Sequence, residues 1–359
     1  MSAILYYITG HGFGHAVRSA QVVRALGKAA PDLQIHVRTT APQWLFGDAL
    51  DASFYSTQVL DIGIVQPNGL ELDLSSTLRA CLDLHRRIPS IVEQEVAFVK
   101  ERKIDLIIGD IPPLGFEIAA RTDLRSIAIT NFTWDVIYQA YAGIHREFVP
   151  LIDAMTSFYQ KARLALALPY SCDLGVFPVR APIPWITRAS SLTRSQARAL
   201  FGLPSSATVV LLSFGGLGLN RLPWDRLQAV KDFYFVATGP ERKSRVNLLV
   251  LPDAQSHYED LVRAADVIVT KPGYGIVADV ISHRVPILYT DRGEFPEYPR
   301  LVQALDDCAT AEYIPQRELL AGEIAPYLER LLSKKPNWPR VAIDGAHVAA
   351  RKILEVLRS

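Results

Sequence analysis

The apolar run Ala3–Ile8 ends in Thr9-Gly10-His11-Gly12-Phe13-Gly14-His15, and this junction limits the fold more than any other stretch of the chain. A short apolar run that closes on glycines predicts a buried parallel strand turning sharply into a helix. The helix is expected to start near Ala16, with Ala16, Ala20, Val23 and Leu26 as one apolar stripe. Glycines let the backbone approach a ligand closely, and a helix N-terminus favours negative charge. A dinucleotide-binding turn would read Gly-x-Gly-x-x-Gly, which puts its third glycine where His15 stands. The turn therefore points to chemistry and argues against dinucleotide binding.

The same alternation runs through the chain. Candidate strands are Ala3–Ile8, Ile35–Arg38, Leu106–Ile108, Ile127–Thr130 and Leu164–Leu168, then Val209–Ser213, Phe233–Ala237, Leu248–Leu251, Val267–Val269 and Ile287–Tyr289. Strands alternating with helical stretches predict parallel sheets of the α/β class. Between the two groups lies Phe177-Pro178-Val179-Arg180-Ala181-Pro182-Ile183-Pro184, whose prolines fit neither a helix interior nor a central strand. Thr193 is the expected N-cap of a helix over Arg194–Phe201 that stops at Gly202. The predicted organisation is a first domain over 1–177, a proline-rich linker over 178–185 and a second domain over 186–359. Both domains are expected to be doubly wound and Rossmann-like, with a facing cleft as the place for ligands.

At 359 residues and 49% apolar, the chain has enough material for two well-cored domains. A net charge of +1 gives no reason to expect nucleic acid as a partner. Cys81, Cys172 and Cys308 are far apart and lack metal-ligand spacing, which fits a reducing cytoplasm, no disulfide framework and no metal site. No basic leader precedes a long apolar core, so neither a signal peptide nor a membrane-spanning helix is expected. Peripheral membrane contact stays open.

Two further loops follow strands in the second half. Ser213-Phe214-Gly215-Gly216-Leu217-Gly218 can cradle phosphate oxygens on backbone N–H groups, or be plain turn punctuation. Thr270-Lys271-Pro272-Gly273-Tyr274-Gly275 opens a helix that carries Asp279 one turn in, where a carboxylate can accept from vicinal ribose hydroxyls or simply face water.

With these residues in place, the chain resembles the GT-B glycosyltransferases, two-domain enzymes that use nucleotide-sugar donors. The glycine turn with His15, the Ser213–Gly218 loop and the Lys271–Asp279 segment fall in that family's order. The second half is similar to the bacterial N-acetylglucosaminyltransferase of cell-wall synthesis and to the UDP-glycosyltransferases. Tyr6–His15, Gly109-Asp110 and Thr130-Asn131-Phe132-Thr133-Trp134-Asp135 look like the glycosyltransferase-like N-terminal region of plant arabinose kinases. No Ser/Gly-rich phosphate loop of the sugar-kinase type is present, so phosphorylation of arabinose is not carried over.

The resemblance implies inverting transfer of a hexosyl or N-acetylhexosaminyl group from a UDP-sugar to a small-molecule or lipid-linked hydroxyl acceptor, without a metal or any cofactor beyond the co-substrate. It places the general base at His15, an orienting carboxylate at Asp110, ribose binding at Asp279 and donor-sugar contacts at Glu294 and Glu297. Gly14, Ser213, Gly215, Gly216, Lys271, Gly273 and Gly275 would line the nucleotide and diphosphate. The last helix would pack back on the first domain, as in relatives.

Each residue also has a plainer reading. His15 can be a structural residue at a helix start, and His11 competes with it for the role of base. A helix N-terminus lowers the pKa of either and keeps it neutral. Asp110 can be a turn residue and Lys271 a solvated surface lysine. Asn131, Trp134 and Asp135 suit an acceptor sugar, since aromatic faces stack on sugars and polar groups bind hydroxyls; they equally suit core packing with a helix cap. Three other functions stay in view: a nucleotide-sugar epimerase using Glu294 and Glu297, a non-catalytic nucleotide-sugar-binding module, and a dinucleotide oxidoreductase with Arg38 as phosphate ligand.

Overall fold

A computed structural model describes residues 2–50, 53–67, 71–214, 222–252 and 257–359. The first domain contains β1 (Ala3–Ile8), α1 (Phe13–Ala29), β2 (Gln34–Arg38), β3 (Ser53–Ser56), α2 (Leu74–Glu101), β4 (Leu106–Asp110), α3 (Leu114–Arg121), β5 (Arg125–Thr130), α4 (Trp134–Gln139), α5 (Phe148–Tyr159), β6 (Leu164–Ala167) and β7 (Arg180–Pro182). The second contains α6 (Arg194–Phe201), β8 (Thr208–Ser213), α7 (Trp224–Ala229), β9 (Phe233–Gly239), β10 (Lys243–Arg245), β11 (Leu248–Pro252), α8 (Tyr258–Ala264), β12 (Val267–Thr270), α9 (Tyr274–His283), β13 (Ile287–Tyr289), α10 (Tyr298–Cys308), β14 (Ala311–Tyr313), α11 (Gln316–Ala321), α12 (Ala325–Ser333) and α13 (Gly345–Arg358).

The first sheet is parallel throughout, in the order β3-β2-β1-β4-β5-β6-β7. The second runs β10-β11-β9-β8-β12-β13-β14, with only β10 antiparallel. Both sheets change winding direction beside their first strand, between β1 and β4 and between β8 and β12. Crevices open at such switch points, off the carboxyl ends of the strands. The chemistry-bearing turns therefore sit where the topology leaves room for a ligand.

The central strands are apolar along most of their length because helices cover both faces; every residue of β1 is buried. One apolar cluster runs from β1 and α1 through α13 and α9, so it crosses from one domain to the other. Gly345 at the start of α13 lies against the connector, where a Cβ would meet the Pro184 carbonyl oxygen at 2.2 Å. A second bridge is aromatic. Phe295, from the second domain, is 1% exposed within a first-domain cluster that includes Phe132, Trp134 and Tyr138.

Three expectations change. Helix α1 begins at Phe13 rather than Ala16, which brings His15 into its first turn. Arg180–Pro182, expected as linker, forms an edge strand, where a proline lacking its N–H costs no ladder bond on the solvent side. The short strands β3, β10 and β14 were not expected, since three or four residues carry too little periodicity to stand out. Helix α6 starts at the N-cap Thr193 and stops at Gly202, as expected from sequence; Gln196 completes a capping box and Gly202 is left-handed.

Candidate active site

Gly12, with φ of +74°, precedes α1 and takes a backbone conformation that a side chain would strain. On the neighbouring strand Asp110 is in register with Ile8, and the Thr9 N–H donates to the Asp110 carbonyl at 3.1 Å. The two turns thereby bring His15 Nδ1 to 3.0 Å from Asp110 Oδ1. Arg18, one helical turn beyond His15, clamps the same carboxylate: its Nε donates to Oδ2 at 2.7 Å and its Nη2 to Oδ1 at 2.5 Å. Ser19 Oγ adds a bond to Oδ2 at 2.8 Å.

Asp110 is fully buried, which opposes its charge, but Arg18 and His15 outweigh burial and hold its carboxyl at about 2. His15 shows the opposite balance. Burial and then Arg18 push it below its ordinary value, and Asp110 and Glu297 offset this only in part. The product is a neutral imidazole. With Nδ1–H directed at an ionised carboxylate, Nε2 keeps its lone pair.

A buried hydrogen-bond chain leads from this pair across the cleft. Arg18 Nη1 donates to Asn131 Oδ1 at 2.5 Å, and Asn131 Nδ2 donates to Glu297 Oε1 at 2.5 Å. Arg292 closes the chain on Glu297 Oε2. Arg18 also lies 5.5 Å from the centre of the Tyr274 ring. At the same seam the N-termini of α1 and α9 nearly touch: a Cβ on Gly275 would meet Gly14 Cα at 3.4 Å.

His11 stands apart from Asp110. Its ring meets Trp134 edge-on at 5.1 Å, stacks with Phe295 at 6.2 Å and rests on Gly63, where a Cβ would strike it at 2.5 Å. Burial, then Arg292, His15 and Lys271, lowers its pKa to about 3. Burial and Arg292 likewise lower Lys271 to about 7. Arg292, paired with Glu297, is thus near enough to both His11 and Lys271 to disfavour their charged forms. Tyr274 Oη, Thr290 Oγ1 and Arg292 Nε are buried without a protein partner. Such atoms call for water or a ligand.

Other expected site residues are placed differently. Asp279 is buried in an ion pair with Arg188, which lies 4.9 Å from the Tyr258 ring centre, so its carboxylate does not face water. Both Glu297 oxygens are engaged as described. Glu294 is exposed, and its carbonyl accepts from Tyr141 Oη at 2.8 Å. Trp134 is fully buried, stacked on Tyr138 at 5.7 Å and edged by His11 and Phe132, so no ring face is open for a sugar; packing has taken it. Asp135 Oδ2 accepts from Thr156 at 3.1 Å, while Oδ1 is buried without a partner. Ser213 Oγ pairs with the Tyr258 hydroxyl. Gly273 caps α9 with open space at its Cβ position. Gly215 and Gly216 lie outside the described residues. Arg38 is ion-paired with Glu95 and donates to Ser56 Oγ at 3.1 Å.

Sequence reasoning missed Arg18, Arg292 and Asp61. Arg18 was detectable, since position i+3 shares a helix face with His15. Asp61 was not, because nothing in the sequence joins its loop to Trp134, whose Nε1 donates to Oδ2 at 2.8 Å. Burial raises Asp61 to about 6, against hydrogen bonds from Thr9 and Trp134. Among the described residues no three His, Cys, Asp or Glu side chains group to hold a metal ion, and no helix is long and apolar enough to cross a membrane.

Residues 2–146 match the sequence model of a family described as glycosyl transferase family 1. The L-arabinokinase of Arabidopsis thaliana is 31% identical over 360 residues, covering 98% of this chain and 34% of that protein, so the chain spans about a third of that relative's length. Among solved structures, Arabidopsis thaliana UGT89C1 complexed with UDP superposes with a TM-score of 0.63 at 12% identity, covering 99% of this chain and 100% of that one. Acinetobacter baumannii MurG gives 0.56 at 15% identity, covering 100% and 99%. The chain has the GT-B fold. In this GT-B chain the His15–Asp110 pair belongs to the first domain and Lys271 and Arg292 to the second, all beside the cleft between the two sheets.

Proposed function

We propose that this chain is an inverting glycosyltransferase that moves a sugar from a UDP-sugar to an acceptor hydroxyl, with His15 as general base. One observation supports the reading: a neutral imidazole in the first domain, oriented by a buried ionised carboxylate, belongs to the same buried network as Arg292 of the second domain, with Lys271 close to that arginine. In the proposed step the acceptor oxygen bonds to the anomeric carbon as its proton passes to His15 Nε2. The bond from that carbon to the β-phosphate oxygen breaks on the opposite face, and UDP leaves with the electron pair. Asp110 stabilises the imidazolium as it forms. Lys271 and Arg292 neutralise the departing diphosphate, a contribution preorganised before reaction. The cleft keeps water from competing with the acceptor. His11, held neutral and packed against Trp134 and Phe295, serves as a positioned contact rather than the base.

Calorimetric titration with UDP, dTDP and NADP(H) tests the reading. UDP binding retained in His15→Ala, together with loss of UDP release from UDP-sugars, is the expected result. A response to NADP(H) alone would overturn it.

A further inference from the structure

Ile111, the residue after Asp110, has φ of +81°. The other non-glycine residues with positive φ among those described lie between 51° and 55°, close to the ordinary left-handed well, and none is β-branched. An isoleucine in this region is a true outlier, and such strain persists only where its surroundings enforce it. Here the enforcement is visible. Ile111 is buried in the aromatic cluster of the first domain and is followed by Pro112-Pro113. Its carbonyl accepts a hydrogen bond of 2.7 Å from Tyr159 Oη. The same hydroxyl accepts the Trp134 N–H at 3.2 Å. One phenol on α5 therefore ties together the turn that carries Asp110 and the turn that carries Asn131. Its ring is fixed by Phe116 at 5.9 Å and Phe177 at 5.5 Å, in an apolar cluster made of first-domain residues that does not include His15.

We propose that Tyr159 is a positioning residue: it holds the strained Ile111 turn and so keeps the Asp110 carboxylate aimed at His15. The proposal rests on the reading of His15 as base. Relaxing the turn would let the carboxylate swing away while the rest of the domain stays packed. The charged and titratable groups facing His15 are Asp110 from β4, Arg18 from its own helix, Glu297 from the segment before α10, and His11 from the preceding turn. Of these, only Asp110 is addressed by Tyr159.

Tyr159→Phe keeps the ring and deletes both hydrogen bonds. The measurement is the titration of His15 by NMR of the histidine-labelled full chain, assigned with His15→Gln, alongside turnover of UDP-sugars. The His15 midpoint should move to lower pH, by about threefold or more in proton affinity, because the carboxylate that raises it has withdrawn. Turnover should fall by about 10- to 100-fold, the usual consequence of a misplaced catalytic group, with UDP affinity unchanged. A variant that melts earlier but keeps the wild-type His15 titration and turnover would overturn the proposal. If Tyr159→Phe does not fold, it is combined with Ile111→Gly: glycine holds φ near +81° without strain, so the double variant should fold with the wild-type His15 titration, and a double variant that folds with the titration still shifted would refute the proposal. The titration needs no substrate, so it still decides the matter if UDP fails to bind and the glycosyltransferase reading falls.

Discussion

Replacing Arg18 with methionine tests the electrostatic core of the site. The side chain keeps its length while the guanidinium that clamps Asp110 and reaches Asn131 is removed. Asp110 has no exposed surface, and Arg18 heads the groups that bring its carboxyl from 3.8 to about 2. At about 1.4 kcal/mol for each tenfold change in proton affinity, that drop amounts to roughly 2.5 kcal/mol of stability. The sign follows from the depressed value: the stabilisation is full above pH 3.8 and is lost as pH falls through 2. The variant loses this and also strands a buried charge with only His15 and Ser19 beside it. Breaking a buried pair in this way costs about 3–5 kcal/mol. Thermal melting at pH 7 should fall by on the order of 10 °C, as expected for such a loss in a domain of this size. Because Arg18 lowers His15, the acidic limb of the turnover profile should move to higher pH at the same time. A variant that melts within about 1 kcal/mol of wild type with an unmoved limb would refute the account of Asp110 as a charge held by Arg18.

Asn131→Asp keeps a partner for Arg18 but sets a carboxylate against Glu297, so the seam should loosen by about 1–3 kcal/mol, more at pH 8 than at pH 5 where a proton can be shared; small-angle scattering and protease sensitivity of the connector report it. Asp279→Ala leaves Arg188 buried and unpaired, and a melting loss of about 3–5 kcal/mol is expected even without nucleotide. Lys271 near 7 makes UDP affinity fall as pH rises through that value, by up to about tenfold per pH unit, and Lys271→Met should flatten the dependence in calorimetry.

The sequence disclosed what depends on local pattern. Each long apolar run became a central strand, because covered parallel sheets need apolar residues on both faces. His15 and Asp110 were legible because each sits at the carboxyl end of a strand beside the winding switch. The rest of the site lies in partners that meet only after folding. Asp279 reads as a free carboxylate until Arg188, 91 residues earlier, folds over it. Trp134 looks like a sugar platform until Tyr138, Phe132 and His11 close around it. Asn131 and Glu297, 166 residues apart, carry no sequence sign that they meet.

The placement of Phe295 and α13 has a consequence for how the chain is made. The first domain's aromatic cluster is completed by a residue from beyond β13, and the apolar face of α1 is covered by the last helix described. As the chain emerges from the ribosome, the first domain must therefore wait with part of its interior open to water while more than a hundred further residues are added. Exposed surface of that kind invites aggregation and chaperone capture. Truncations just after the connector should for this reason be poorly soluble, although the first sheet within them would be whole.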